Sequence, residues 1–406
     1  MTEQTSQKNQ AQALDGIRVL DLGTFVAGPF CTTILAEFGA EVIKVEPPGT
    51  GDSLRRFGTH TDCGDTLMWL NESRNKKCVT LNLRDPKGQE VLKRLAARSD
   101  VIVENYRPGV LERWGLPWEE IQRLNPRAIL VRISAYGQEG PYRGRPGFAR
   151  VAHAFSGLAY LAGEPGRTPV TPGSTSLADY GSGLYGAVGV LLALRAREST
   201  GVGQVVDLAL YESMFRVLDE MVPVYQQTGM VRERQGADTV NVVPHSHYQT
   251  RDGKWVAIAC TNDKIFARLA AVMGEPELAA PERWGPVGHR LAERAAVNAR
   301  VASWAASIDC ADLLARCDAG GVPAATLYSV ADIFEDPQYA LRENIKTVPS
   351  RAGPVAVQNV IPKLSGTPGG IKWLGPALGE HNDAVFQELL GMTAGELDAM
   401  REAGIM

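Results

Sequence analysis

No two of the six cysteines stand in a C-x-x-C pair. Cys31, Cys63, Cys78, Cys260, Cys310 and Cys317 are scattered, most of them in apolar surroundings. They read as small core residues in a reducing cytoplasm and argue against a structural zinc site. His245 and His247 flank Ser246 with no other ligand cluster nearby, so they read as polar loop histidines and no metal is expected. No apolar run reaches about 18 residues without interruption, so no membrane span is expected. There is no long basic run, Arg74-Asn75-Lys76-Lys77 being too short. With a formal net charge of −4 this excludes a general nucleic-acid binder. A G-x-S-x-G elbow and a Walker-type G-K-[ST] loop are both missing, which removes the commonest α/β alternatives. Internal repeats and low-complexity segments are missing too. Residues 1–13 are polar and rich in Gln, without the apolar core of a signal peptide, and read as a frayed tail on a cytoplasmic protein.

What is present points to a large α/β protein. The 406 residues exceed the roughly 250–300 at which one core stops growing, so two domains are expected. Compact apolar runs at 17–22, 41–46, 78–83, 100–104, 128–133 and 204–210 read as strands. Helical patterns separate several of them, one following the turn Gly23–Pro29 and one running over 87–98 behind Asp85 as N-cap. This is an open, doubly wound α/β pattern, in which ligands sit beyond the carboxyl ends of the strands. The turns at Val26-Ala27, Asn105-Tyr106-Arg107 and Ala135-Tyr136-Gly137 occupy that place. Residues 47–69 form a long loop of the kind that is often functional. Helices are expected over 151–161, 184–197 and 211–227. The composition turns polar around 229–241, where a domain boundary is placed. A hairpin around Arg251-Asp252-Gly253 opens a smaller α+β domain of residues 230–330. The large domain then comprises 14–229 and 331–406, with a helical stretch at 331–345, a strand at 355–361 and two terminal helices.

One stretch stands out, Ser176-Leu177-Ala178-Asp179-Tyr180-Gly181-Ser182-Gly183. Asp179 lies between a turn-rich approach and a long apolar helix. It suits an ordinary N-cap, and it also suits a carboxylate nucleophile kept charged by the helix dipole. Gly181 to Gly186 matches G-x-G-x-x-G, but a Pro/Gly/Ser loop precedes it instead of a buried strand, so a dinucleotide is a weak reading. Close packing of small residues against a neighbouring helix is the better one. Arg74, Lys76, Arg84, Arg107 and Arg113 lie in or near the loops of the first sheet. Singly each suits a solvated surface. As a set they suit a phosphate-bearing ligand, with Tyr106 and Tyr136 able to border a flat ring.

With these residues in hand the chain resembles the family III CoA-transferases, the group that includes formyl-CoA transferase and the carnitine CoA-transferases. The resemblance runs from about Leu14 to the C-terminus. It is carried by LDGIRVLDLGTFVAGPF, FGAEVIKVEPPG, SRNKKCVTLNLRDPKG, VIVENYRPGVLERWGL, ISAYGQEGP, LADYGSGLYGAVGVLLAL and ESTGVGQVVDLALYESM, in that order. It implies a Rossmann-like large domain built from both ends of the chain, an inserted smaller domain and an interlocked homodimer. It implies an acyl-CoA and a free carboxylic acid as substrates, with no permanently bound cofactor. It makes Asp179 the nucleophile, attacking the thioester to give a mixed anhydride and then an aspartyl-CoA thioester, from which the acceptor acid takes CoA. Backbone N–H groups at Gly181 to Gly183 are expected to stabilise the oxyanions. For CoA it implies contacts from Val26 and Ala27 at the pantetheine end, from Leu81, Asn82, Leu83 and Arg84 at the adenine, from Asn105, Tyr106 and Arg107, and from Arg113 beside the phosphates, with Tyr136 in the active site.

Two departures narrow the chemistry. Val26 stands where formyl-CoA transferase has a glutamine, and Pro47 where it has an arginine on CoA. Formyl and oxalate chemistry are therefore not expected. Relatives with this turn point to succinyl-CoA as donor and a dicarboxylic or aryl-substituted acid as acceptor. Arg55, Arg56 or Arg150 would be available for a distal carboxylate. The related α-methylacyl-CoA racemases need a Gly-His-Asp run where this chain has Gly147-Phe148-Ala149. Phe148 and Ala149 move no proton, and His153 is no obvious substitute. A further alternative is one subunit of a heteromeric transferase.

Overall fold

The computed structural model describes residues 11–171, 173 and 175–406. The chain divides into two compact units. Met1–Leu158, Gly173–Val222 and Leu341–Met406 form the first, and Ala159–Pro172 with Pro223–Ala340 the second.

The first unit is built on six parallel strands: β1 (Arg18–Asp21), β2 (Glu41–Glu46), β3 (Lys76–Thr80), β4 (Val101–Glu104), β5 (Ile129–Ser134) and β6 (Val205–Ala209). Their order across the sheet is β3-β2-β1-β4-β5-β6. The chain order therefore reverses between β1 and β4, which is the switch point where doubly wound sheets bind ligands. The inner strands are apolar on both faces, as a parallel sheet covered on both sides requires. Val19, Val42, Val101, Val103 and Val131 join one core cluster, while Leu20, Ile43, Ile102 and Leu130 join the other.

The helices follow in order: α1 (Ala27–Glu37), α2 (Leu67–Glu72), α3 (Pro86–Ala97), α4 (Val110–Arg113), α5 (Trp118–Leu124), α6 (Ala149–Phe155), α7 (Leu158–Leu161), α8 (Leu177–Thr200) and α9 (Leu210–Phe215). α1 and α8 cover the first face, and α3, α5 and the C-terminal helix Ala394–Glu402 the second. Both ends of the chain thus build this unit. Asp85 caps α3 by accepting the Lys87 N–H at 2.8 Å, as expected. The second unit holds a three-stranded antiparallel sheet, β7 (His245–Gln249), β8 (Trp255–Ala259) and β9 (Ala324–Thr326), under helices and a separate apolar core.

Several expected elements move. His245 and His247 lie on β7, not in a loop. The 47–69 loop contains a 3₁₀ turn, Ser53–Arg56, and α2. The 151–161 helix breaks at Gly157, whose φ of +93° lies in the left-handed region. The helix expected over 211–227 is also split, α9 ending at Phe215 and a second helix spanning Met221–Thr228. A second hairpin strand, Ile345–Ser350, lies where helix was expected to end, pairing with Gly353–Gln358.

α8 starts seven residues before its predicted beginning. Gly181 and Gly183 lie inside it because α1 and α9 come too close for side chains. A Cβ at Gly183 would stand 2.8 Å from the Ala27 carbonyl oxygen and 2.9 Å from the Phe30 ring, and one at Gly181 2.7 Å from Met214 Cε. The G-x-G-x-x-G run is a packing stripe. By length and composition α8 would also pass for a membrane-crossing helix, which the sequence reading did not anticipate. Its buried positions Ala178, Ser182, Gly183, Ala187 and Val190 pack on this unit.

Gly183→Ala tests the stripe. Helix propensity alone would favour alanine by about 1 kcal/mol. The backbone clash should outweigh it and leave a net loss of roughly 1–3 kcal/mol in urea unfolding. Unchanged or raised stability would mean that α1 and α8 separate at little cost.

Candidate active site

The switch point is framed by two turns, one after β1 and one after β4. Asn105 ties them together. Its Oδ1 accepts the Thr24 N–H at 2.8 Å and its Nδ2 donates to the Thr24 carbonyl at 2.9 Å. Gly28 of α1 lies against the same side chain, where a Cβ would stand 3.4 Å from Asn105 Cγ. Between Thr24 and Val26 the backbone of Phe25 takes a φ of +58°, an uncommon conformation for a bulky residue.

A buried chain of charges holds that turn. Asp21 accepts the Gly23 N–H at 2.9 Å, the Thr32 hydroxyl at 2.7 Å and Lys76 Nζ at 2.9 Å. Lys44 Nζ donates to the Gly23 carbonyl at 2.8 Å and pairs with Asp52 at 2.9 Å. Asp52 in turn accepts the N–H groups of Phe25 at 3.2 Å and Leu54 at 2.8 Å. Burial would raise the Asp21 carboxyl, but Lys44, Lys76 and the Thr32 hydroxyl bring it below the usual range. For Lys44 burial is likewise overcome, and Asp21, Asp52 and Glu46 hold its ammonium well above the ordinary value.

Asp179 is the third residue of α8, not its N-cap. Ser176 holds the cap position but makes no side-chain cap bond. The N–H of Ala178 is taken instead by Nε2 of buried His153, at 3.0 Å. Asp179 lies one turn before Gly183, on the face that meets the start of α1. Its neighbour Tyr180 packs edge-on against Phe30 at 4.8 Å and donates to Glu72 at 3.2 Å. Among the described residues no donor reaches the Asp179 carboxylate. Burial pushes it up to about 6, against the charged form. The N–H groups of Gly181, Ser182 and Gly183 do not serve as an oxyanion site. They are inside α8, each committed to the carbonyl four residues back.

The other predicted residues fall into two groups. Arg84, Arg107 and Arg113 are exposed and, among the described residues, form no ion pair. Val26 and Ala27 are buried at the start of α1, which has no side-chain cap and no acidic residue in its first turn. Tyr106 packs edge-on against Trp114 at 4.9 Å, and burial raises its phenol. Tyr136 joins an aromatic group with Phe155 at 5.2 Å and Tyr142 at 5.9 Å. Leu81 and Leu83 are buried in the core, past the end of β3, while Asn82 Oδ1 accepts the Arg84 N–H at 3.1 Å.

Three basic residues do not stay free. Arg74 is buried against Glu37, Nε to Oε1 2.7 Å, and Lys76 against Asp21. Arg55 pairs with Glu46 at 2.7 Å and Asp65 at 3.0 Å and lies 3.7 Å over the Trp69 ring, which removes it as a partner for a substrate carboxylate. Arg56, which is exposed, donates to the Thr50 carbonyl. Arg150 is exposed on α6.

Sequence reasoning missed Lys44 and Asp52, and weighed His153 and Phe148 only for the proton transfer of a racemase. A lone lysine in the apolar strand EVIKVE was a signal that a carboxylate had to be buried beside it. Phe148, 70% exposed, stands edge-on to Phe25 at 6.2 Å, with Phe57 on Phe25 at 6.1 Å. A cleft of about 450 Å³ lies at the β4 and β5 ends, lined by Gly109, Arg132, Gln138 and Arg143. Asp179 does not line it.

A carboxylate with a raised pKa, in a unit whose strand-end loops also carry Arg84, Arg107 and Arg113 without an ion pair among the described residues, suits covalent group transfer on a phosphate-bearing substrate. The sequence model of CoA-transferase family III matches residues 14–382. The β subunit of succinyl-CoA–L-malate CoA-transferase from Chloroflexus aurantiacus is 54% identical over 396 residues, covering 97% of this chain and 98% of that protein. Succinyl-CoA–D-citramalate CoA-transferase from the same organism is 44% identical, covering 98% and 99%. The crystal structure of a CaiB/BaiF family protein from Brucella suis superposes with a TM-score of 0.83 at 34% identity, over 94% of this chain and all of that one. The chain belongs to CoA-transferase family III and is a CoA-transferase.

Proposed function

We propose that this enzyme moves CoA from succinyl-CoA to a short dicarboxylic acid, with the Asp179 carboxylate as nucleophile. The observation that carries the nucleophile is the state of Asp179: half-buried, raised to about 6, and without a donor among the described residues. The relatives named for succinyl-CoA with L-malate or D-citramalate support the donor and the acceptor class. In the reaction, Asp179 attacks the thioester carbonyl and the C–S bond breaks. The CoA thiolate that leaves attacks the resulting anhydride at the aspartyl carbonyl, releasing succinate. The acceptor carboxylate then takes the aspartyl carbon, and thiolate returns to the acceptor's acyl carbon to regenerate Asp179. No redox partner is needed. Val26 and Ala27 would border the pantetheine end, Leu81 to Arg84 the adenine, and Asn105 to Arg107 with Arg113 the phosphates. Tyr136 would close the acid side.

A racemase is disfavoured because Phe148 and Ala149 carry no proton and the Nε2 lone pair of His153 is occupied. A heteromeric enzyme is the second reading, since one relative is named as a β subunit.

The chain expressed alone should exchange CoA between succinyl-CoA and a panel of acids, with dicarboxylic acids preferred to aryl-substituted ones. Asp179→Asn should lower exchange by roughly 10³-fold or more and abolish the hydroxylamine-trappable adduct on the Asp179 peptide. Retained turnover would sink the nucleophile. A folded chain inactive until a paralogous subunit is added would favour the heteromer.

In the wild type, kcat/KM should fall below about pH 6 as Asp179 takes a proton. A profile flat to pH 5 would contradict this.

Stability should move the other way. The folded-state pKa of Asp179 is raised, so between about pH 4 and 6 the folded state holds the extra proton and stability is lost as pH rises. Asp179→Asn should therefore stabilise the protein by about 1–3 kcal/mol at pH 8 and leave it unchanged at pH 4. Equal stabilities at pH 8 would show that burial does not strain the carboxylate.

A further inference from the structure

We infer that His153 is a positioning residue for Asp179, its neutral imidazole replacing the side-chain cap that Ser176 does not supply to α8. The inference rests on the reading of Asp179 as nucleophile. The first N–H groups of a helix have no internal partner, and a buried one left unmet costs about 1–3 kcal/mol. At α8 the N–H groups of Asp179 and Tyr180 already reach the Ser176 carbonyl, at 2.9 and 3.1 Å. Ala178 is fully buried, and its N–H goes to His153 Nε2 at 3.0 Å.

The Ser213 side chain on α9 lies beside the same residue, its Oγ 3.3 Å from the Ala178 carbonyl oxygen while its one proton is better placed on the Leu210 carbonyl at 2.8 Å. The residue immediately before Asp179 is therefore fixed by α6 at its N–H and flanked by α9 at its C=O. A helix start held in this way has little freedom to swing the carboxylate. His153 is 1% exposed, so water does not readily replace it.

The chemistry fixes the tautomer. Only an imidazole with its proton on Nδ1 has a lone pair at Nε2 to offer. That Nδ1 is buried and, among the described residues, unpartnered. The ring is thus not oriented through its second nitrogen, as a catalytic or metal-bound histidine usually is. A buried, unmet Nδ1–H is tolerated here while Nε2 makes its one bond, to the turn that bears Asp179. α6 also begins beside Phe148, which packs on Phe25, so the same short helix touches both the strained turn after β1 and the start of α8.

Three measurements test this. In His153→Gln the amide oxygen can accept the Ala178 N–H, and kcat should stay within a few-fold of wild type. His153→Phe should lower kcat roughly 10–100-fold with KM for the acyl-CoA nearly unchanged, since a misplacement of about 1 Å costs on that order. Wild-type kcat in His153→Phe, or a His153→Gln as slow as His153→Phe, overturns the assignment. Should the phenylalanine variant not fold, imidazole ¹⁵N spectra of the wild-type enzyme at neutral pH decide. An Nδ1–H tautomer with an unprotonated Nε2 supports the cap. An Nε2–H or a charged ring overturns it. Slow hydrogen exchange at the Ala178 amide in wild type and His153→Gln supports the cap, and fast exchange in both overturns it. Because these spectra do not read turnover, an Asp179→Asn enzyme that still exchanged CoA would fail the nucleophile alone, leaving the cap to be judged separately.

Discussion

The ion chain Asp21–Lys44–Asp52 under the first βα turn is the constraint on which the site depends. Taking three charges out of water is expensive, and a buried pair is recovered only when geometry and extra hydrogen bonds are good. Here each charge also binds backbone: Asp21 takes the Gly23 N–H, Lys44 reaches the Gly23 carbonyl, and Asp52 takes the Phe25 N–H. The network's return is therefore conformational. It holds Gly23 from both polar groups and keeps Phe25 in a left-handed conformation that its side chain disfavours. The start of α1 is set by that turn, and the start of α1 sets how close α8 can come.

The two aspartates at this site show how environment divides one residue type into two roles. Asp21 is fully buried and falls below the usual range because Lys44 and Lys76 face it. Asp179 is only half-buried and rises to about 6 because no cation or donor compensates for burial. A carboxylate stabilised as strongly as Asp21 would be a poor nucleophile. One left uncompensated keeps its electrons available, at a cost in stability that the packing of α8 on α1 must offset. The small residues of α8 belong to the same arrangement. Gly183 loses helix propensity so that Ala27 can approach, and Asp179 lies one turn before that contact.

Much of the sheet was legible in the sequence because its strands are buried on both faces, and compact, mainly apolar runs such as Ile17 to Leu22 mark that burial. β3 was read two residues late for the same reason. Leu81 and Leu83 continue the apolar signal after the ladder ends, where Asn82 turns to the Ile405 carbonyl. The start of α8 was read late because glycine marks a turn in local reasoning and a close approach only in tertiary context. Charges were the least legible. Arg55, Arg74 and Lys76 look like Arg84, Arg107 and Arg113 along the chain, but partners 9, 37 and 55 residues away bury the first three. Only Lys44, alone in an apolar strand, announced that it needed a carboxylate.

The site thus has two backbone clamps of different chemistry. On the β1 side a network of full charges fixes a strained turn, with Asp21 held below and Lys44 above their ordinary ranges. On the α8 side a neutral imidazole fixes the residue before Asp179, with a hydroxyl beside its carbonyl. Placing full charges there would alter Asp179 itself, since a cation within a few ångströms pulls a carboxylate pKa down by about 1–3. Burial lowers the basicity of His153 and Arg150 lowers it further, so the ring stays neutral and positions Asp179 without stabilising its charge. A neutral group beside Asp179 and ionic ones at the β1 turn divide the site into a rigid half and a half whose carboxylate stays uncompensated.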